Sequence, residues 1–198
     1  MNLPGVTVER WATWRATPEA PRPDVSFVPP LMRRRLTEVE RVALSVAKAV
    51  YPDPPPECGL PVVFASRWGE IGTTVKLMAQ FHAEGEMSPA GFSASVHNAA
   101  PGAFSLLTRN RAEYTAVAAR AQTLSAGFTE ALARRARLVF IYAEESTPAF
   151  YRPAFGPAQE AVAVAVLLDS RAWRWTGAPL PPGCTFEAFV AMLEGNPA

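Results

Sequence analysis

Cysteine and histidine are nearly missing from this chain, with two of each among 198 residues: Cys58, Cys184, His82 and His97. The cysteines lie in unrelated proline-rich turns without C-x-x-C or metal-ligand spacing. No metal site is therefore expected, and a reducing, cytoplasmic setting is the plain reading. Charge of one sign is also scarce. The formal net charge is +1, so no surplus of Lys and Arg exists for phosphates, which argues against nucleic acid as a partner. Long apolar runs are missing too. Ala161 to Leu168 (AVAVAVLL) has strand length, so no membrane span is expected. The start, MNLPGVTVERW, has no basic segment followed by an apolar one, which gives no secretory signal. Neither G-x-G-x-x-G nor a Walker sequence is present, and the hydrolase elbow G-x-S-x-G is missing as well.

What is present reads as one globular domain over residues 1–198, with 49% hydrophobic and 19% charged residues. Residues 1–30 should form a first strand (Val6 to Trp14) and a proline-rich strap anchored by Phe27 and Val28. After Arg33, Arg34 and Arg35, Thr37 with Glu40 makes a capping box for a helix whose apolar face includes Val39, Val42, Ala43, Val46, Ala47 and Val50. Pro61 to Ser66 reads as a buried strand. A helix from about Ile71 to Ala83 should carry Ile71, Val75, Met78 and Phe81 or His82 on one face, with His82 near its end read as a surface residue that suits the helix dipole. Tyr114 to Ala119, Leu138 to Ala143 and Ala161 to Leu168 read as further strands, with a small-residue helix from Gln122 to Ala136 carrying Glu130 and Arg134. A loop bears Phe150, Tyr151 and Phe155, an edge strand is possible at Arg171 to Trp175, and Thr185 should cap a final helix to about Leu193. Strands alternating with helices predict an α/β fold with a mixed, mostly parallel sheet.

The stretch Ser88 to Asn110 (SPAGFSASVHNAAPGAFSLLTRN) carries the densest set of polar candidates. Asn98 can cap a helix from Ala99 to about Thr108, and Pro101 fits its first turn. His97 is expected to hydrogen-bond nearby loop backbone. Ser93, Ser95 and His97 also allow a small acyl hydrolase or transferase, in which Ser95 attacks and His97 takes its proton. No orienting carboxylate is apparent for such a pair. Cys184, near a helix start, reads as an ordinary turn residue.

The segment Ser95 to Gly102 (SVHNAAPG) lies downstream of VVFASRWGE and upstream of a hydrophobic strand and small-residue helix. Together they resemble the short beta-ketoacyl-synthase-like proteins of aryl polyene pigment clusters, over roughly Phe27 to Tyr151. Those proteins are chain-length-factor-type partners of a complete synthase. The resemblance implies a thiolase-like half-fold with its second half absent. It also implies a polyketide or fatty-acid-type pathway, a carrier-borne substrate, no cofactor, and a heterodimer with a complete beta-ketoacyl synthase. A condensing enzyme needs a cysteine at the head of the helix after the YTAVAA strand. Here that turn reads Ala119-Arg120-Ala121-Gln122-Thr123, with either Ala121 or Gln122 at the nucleophile's place, and neither attacks a thioester. The histidine-bearing half is absent, so condensation by this chain alone is not expected. The resemblance further implies an acyl carrier protein contact at Arg33, Arg34 and Arg35. It places the dimer seam along Tyr114, Ala116, Val117 and Ala118. A free-standing carrier-protein-binding module is the remaining reading.

Overall fold

The computed structural model describes residues 3–152, 159–181 and 183–195. Five strands form one sheet in the order β1-β5-β4-β2-β3: β1 (Thr7–Arg15), β2 (Val62–Ala65), β3 (Tyr114–Val117), β4 (Arg137–Glu144) and β5 (Val162–Asp169). β2 runs parallel to β3 and β4, whereas β5 runs antiparallel to β4 and β1. The sheet is mixed, as predicted, but divided evenly between the two kinds of pairing rather than mostly parallel. Parallel neighbours need a crossover connection, which helices supply between β2 and β3 and between β3 and β4. Those helices are α3 (Ile71–Glu84), α4 (Pro89–Ala94) and α5 (Ala99–Thr108) for the first crossing, and α6 (Thr123–Ala133) for the second. α1 (Pro30–Arg33) and α2 (Glu38–Val50) precede β2, and α7 (Phe186–Leu193) closes the chain.

Period-two alternation decides which side chains face which helices. Val62 and Phe64 of β2, Val139 and Ile141 of β4, and Ala163, Ala165 and Leu167 of β5 pack beneath α2 and α5. Val63, Leu138, Phe140, Val164, Val166 and Leu168 point the other way, under α6 and α7. There Phe128, Phe140 and Phe189 meet edge to face, with centroids 5.1 to 6.0 Å apart. α2 begins as predicted. Thr37 Oγ1 accepts the Glu40 N–H, and the Glu40 carboxylate accepts the Thr37 N–H.

Several expectations fail for non-local reasons. The strap is anchored by Val25 and Val28, while Phe27 stays exposed. Arg171 to Trp175 is a turn instead of an edge strand, because Arg171 folds back on Asp169 and the Trp173 N–H bonds the Ser170 carbonyl. α4 was not anticipated. It starts at Ser88, whose Oγ accepts the Gly91 N–H. α3 buries only Leu77, so the apolar face read from its spacing is open, with Met78 and Phe81 exposed. Phe155 lies outside the described residues.

Gly127 fixes how closely α6 approaches the sheet. A Cβ added there would lie 2.4 Å from Ala65 Cβ and 3.2 Å from Phe140 Cε2. On an exposed helix, alanine would stabilise relative to glycine by about 1 kcal/mol. Here Gly127→Ala is expected to destabilise by about 1–3 kcal/mol through overpacking, read as a lower urea midpoint at unchanged slope.

Candidate functional site

Parallel strands β2 and β4 end side by side, so the turn leaving β2 runs past the last residue of β4. Glu144, 4% exposed, uses that geometry. Its carboxylate accepts the Ser66 hydroxyl at 3.1 Å and the N–H groups of Arg67 and Trp68. Ser66 Oγ in turn accepts the Gly69 N–H at 2.8 Å. The next residue, Glu145, accepts the Gly72 N–H at the head of α3. Glu70, beside them, accepts the Thr37 hydroxyl at 3.0 Å. Burial pushes all three carboxyls up, Glu144 and Glu145 to about 7 and Glu70 to about 8, with the neighbouring Glu40 charge adding to the rise at Glu70. None of these acids stood out in the sequence. The available signal was Glu144-Glu145 directly behind an apolar strand.

His97 grips the same turn from the other side. Its Nε2 lies 2.7 Å from the Ser66 carbonyl, which only accepts, so Nε2 carries the proton. Its ring packs beside Phe64. A Cβ on Gly69 (φ +54°) would come within 2.8 Å of His97 Cδ2, so glycine is required there for both space and conformation. His97 thus bonds a carbonyl distant in sequence, not its own loop. Ser95 spends its hydroxyl on the Phe92 carbonyl at 2.8 Å, and Ser93 on that of Pro89. Ser95 and His97 therefore share no hydrogen bond, and the hydrolase pair is not assembled. Asn98 stands at the N-cap of α5, yet its side chain makes no capping hydrogen bond. With φ −96° and ψ 16°, its backbone lacks the extended geometry that aims a side chain at the helix end.

The turn after β3 lies at the head of α6. Arg120 to Gln122 form a 3-10 turn, and Arg120 and Ala121 line a cleft of ≈ 510 Å³ with Arg15, Arg67, Tyr142, Glu144 and Cys184. Gln122 Oε1 accepts the Gly183 N–H at 3.3 Å, so this amide holds the loop before α7. Thr123 Oγ1 donates to the Arg120 carbonyl and accepts the Ala119 N–H, which occupies that hydroxyl. Burial pushes the Cys184 thiol up, the wrong direction for a nucleophile. Among the described residues no cluster of His, Cys, Asp or Glu is arranged to hold a metal ion.

On the opposite margin, β3 is the last strand of the sheet and, among the described residues, pairs only with β2. Arg134 braces it, bonding Glu130 one turn back, Glu113 at 3.0 Å and the Thr115 hydroxyl. Tyr114 and Ala118 are exposed, while Ala116 and Val117 are half-buried. Beside this edge lies a mostly apolar groove of ≈ 640 Å³ lined by Leu31, Val96, Asn98, Leu106 and Tyr114. Leu31 is 70% and Leu106 79% exposed. The three basic residues separate. Arg33 is tied to the Ser26 carbonyl, and its own carbonyl accepts from Arg41, whereas Arg34 and Arg35 are exposed and Arg35 borders the groove.

Two outcomes follow from this geometry. Asn98→Ala should change stability by no more than about 0.5 kcal/mol, as for a surface site, and not by the cost of a lost cap; thermal melting checks this. Glu70, Glu144 and Glu145 sit above their ordinary 4.5 when folded, so the folded chain holds more protons than the unfolded one between that value and 7 to 8. Their contribution to stability is full below 4.5 and is lost as pH rises through that window. The melting temperature should therefore decline from about pH 5 to about pH 8. Glu70→Gln, which stays neutral, should flatten the upper part of that decline.

The family profile for the beta-ketoacyl synthase N-terminal domain matches residues 11–184. No curated protein matches the sequence significantly. Among solved structures, the chain is similar to the ketosynthase ApeO in complex with its chain length factor ApeC from Xenorhabdus doucetiae. The TM-score is 0.72 at 21% identity, covering 87% of this chain and 81% of the other. It is also similar to the ishigamide ketosynthase/chain length factor, with a TM-score of 0.58 at 17% identity, covering 77% of this chain and 48% of that one. At such identities the likeness speaks for the thiolase-like fold, and the profile match speaks for descent: the chain belongs to the beta-ketoacyl synthase N-terminal domain family.

Proposed function

We propose that this chain is a non-catalytic, chain-length-factor-type subunit that pairs with a complete ketosynthase and shapes its acyl pocket in aryl polyene or polyketide-type biosynthesis. One observation carries the reading. The turn at the head of α6, where a condensing enzyme needs its thiol, offers Arg120, Ala121 and Gln122, and the thiol nearest to it is buried with a raised pKa. The open edge of β3 supports the pairing. It leaves a row of backbone N–H and C=O groups without partners in the sheet, a template for an antiparallel strand from a second subunit. Tyr114, Ala116, Val117 and Ala118 would form the seam, and the groove beside them would be covered by the same partner. Exposed Arg35 at the rim of that groove, with exposed Arg34 next to it in sequence, would supply cations for an acidic acyl carrier protein.

Co-expression with a ketosynthase from the same pathway tests this. Leu106→Glu and Ala118→Lys, both at exposed positions, should leave the circular dichroism of the isolated chain unchanged and abolish co-purification. The isolated wild-type chain should release no carbon dioxide from malonyl carrier protein above a protein-free control. Turnover by the isolated chain, or an intact complex with both variants, overturns the reading.

A further inference from the structure

Leu77 is the one buried residue between 71 and 96, yet it belongs to neither of the apolar clusters that flank the sheet. It sits against α4 instead, where a Cβ added to Gly91 would lie 2.9 Å from Leu77 Cδ2. A second link runs the same way. The Gln80 side-chain oxygen accepts the Ser88 N–H at 3.4 Å, so α3 also holds the start of α4. Residues 81–90, at the tip of the pair, are exposed throughout. Each helix is thus sheltered mainly by the other and not by the sheet.

The two roots of the pair are built differently. On the way in, Ser66 Oγ accepts the Gly69 N–H, the Glu145 carboxylate accepts the Gly72 N–H, and Glu70 accepts the Thr37 hydroxyl. On the way out, His97 bonds the Ser66 carbonyl at 2.7 Å, and Ala100, Ala103 and Phe104 of α5 enter the core. Between these roots the attachments stop. Apart from a charge attraction between Lys76 and Glu145, no hydrogen bond or ion pair from residues 75–95 reaches another element among the described residues.

Such an arrangement has a thermodynamic consequence. Six residues of α4 do not hold a helix in water by themselves, and the 14 residues of α3 are near the length at which isolated helices begin to persist. Loss of the contact that they share therefore releases both. Segments with few buried apolar contacts open at low free energy, while the strands beneath, with Phe64, Phe140 and Leu167 fully buried, do not. α4 is also a wall. Its Ala90, Ser93 and Ala94 line the ≈ 640 Å³ groove together with Leu31, Leu106 and Tyr114.

We propose that α3 and α4 are a movable wall of this groove, opening as one unit between the fixed turns at 66–72 and 97–98 while the sheet stays folded. The groove then has a walled and an open state in the isolated chain. The device does not depend on the pairing proposed above, because every part of it belongs to this chain.

Residue-resolved hydrogen exchange of the full chain in increasing low urea tests it. In the wild type the amides of α3 and α4 should share one protection factor and one urea slope, with protection about a hundredfold or more below that of β4 and a shallower slope. Leu77→Ala should speed exchange in both helices by the same factor, about tenfold. Val166→Ala, which weakens the core beneath β5, should speed exchange of the β4 amides by about tenfold and leave both helices unchanged, since their opening does not break the core. The proposal is overturned by helix protection equal to that of β4, by no protection of either helix, by faster exchange in α3 alone in Leu77→Ala, or by helices that follow β4 in Val166→Ala.

Discussion

The Glu144 carboxylate is the fixed point of this molecule. β2 and β4 are parallel and end together, so the chain leaving β2 must turn beside the last side chain of β4. Without an acceptor there, the N–H groups of Arg67 and Trp68 and the Ser66 hydroxyl would lose their partner in a largely buried site, a cost that folding proteins avoid. His97 closes the same turn from the far side through the Ser66 carbonyl. Held from both sides, the turn can leave the sheet in only one direction. It starts α3 over Glu145 and lays Arg67 into the cleft at the head of α6.

How much of this could be read in the sequence depends on the range of each interaction. The α2 capping box was legible because Thr37 and Glu40 are three residues apart and satisfy each other. Strands β2, β4 and β5 were legible from their apolar runs, and α7 from Thr185. Asn98 was misread because cap residues are recognised by type, whereas capping depends on φ and ψ, which are set here by the α4–α5 junction. The open face of α3 was misread because helical periodicity reports an apolar stripe and says nothing of what lies against it. The left-handed backbone at Arg120 was invisible for a related reason: it is looked for at glycine and asparagine. The turn itself was found, but which residue stands at its apex is a matter of dihedral angles.

The two margins of the sheet next to α6 differ in character. The head of α6 is polar, bordering a cleft lined by Arg15, Arg67 and Arg120, and its hydroxyl and amide side chains are committed to holding loops. The β3 margin is apolar and unfinished, with a strand paired on one side and a groove beside it. The chain runs directly from β3 into the turn at the head of α6, and at the far end of that helix Arg134 ties it back to Thr115 on β3.

The exposed apolar face of α3 and α4 has a consequence for how the chain behaves in bulk. Met78, Phe81 and Phe92 are each more than half exposed, on a pair of helices that pack mainly on each other. Water solvates such a surface poorly, so the free energy of the dissolved chain falls whenever copies bring these faces together. α3 also carries Lys76, Gln80, His82 and Glu84, so a surface brought against this face would meet charged and polar groups beside the apolar ones. The sheet beneath can be fully stable while the solution is not. A surface that covered Met78, Phe81 and Phe92 would take that area out of water and raise the concentration at which the chain stays dispersed, with the fold unchanged.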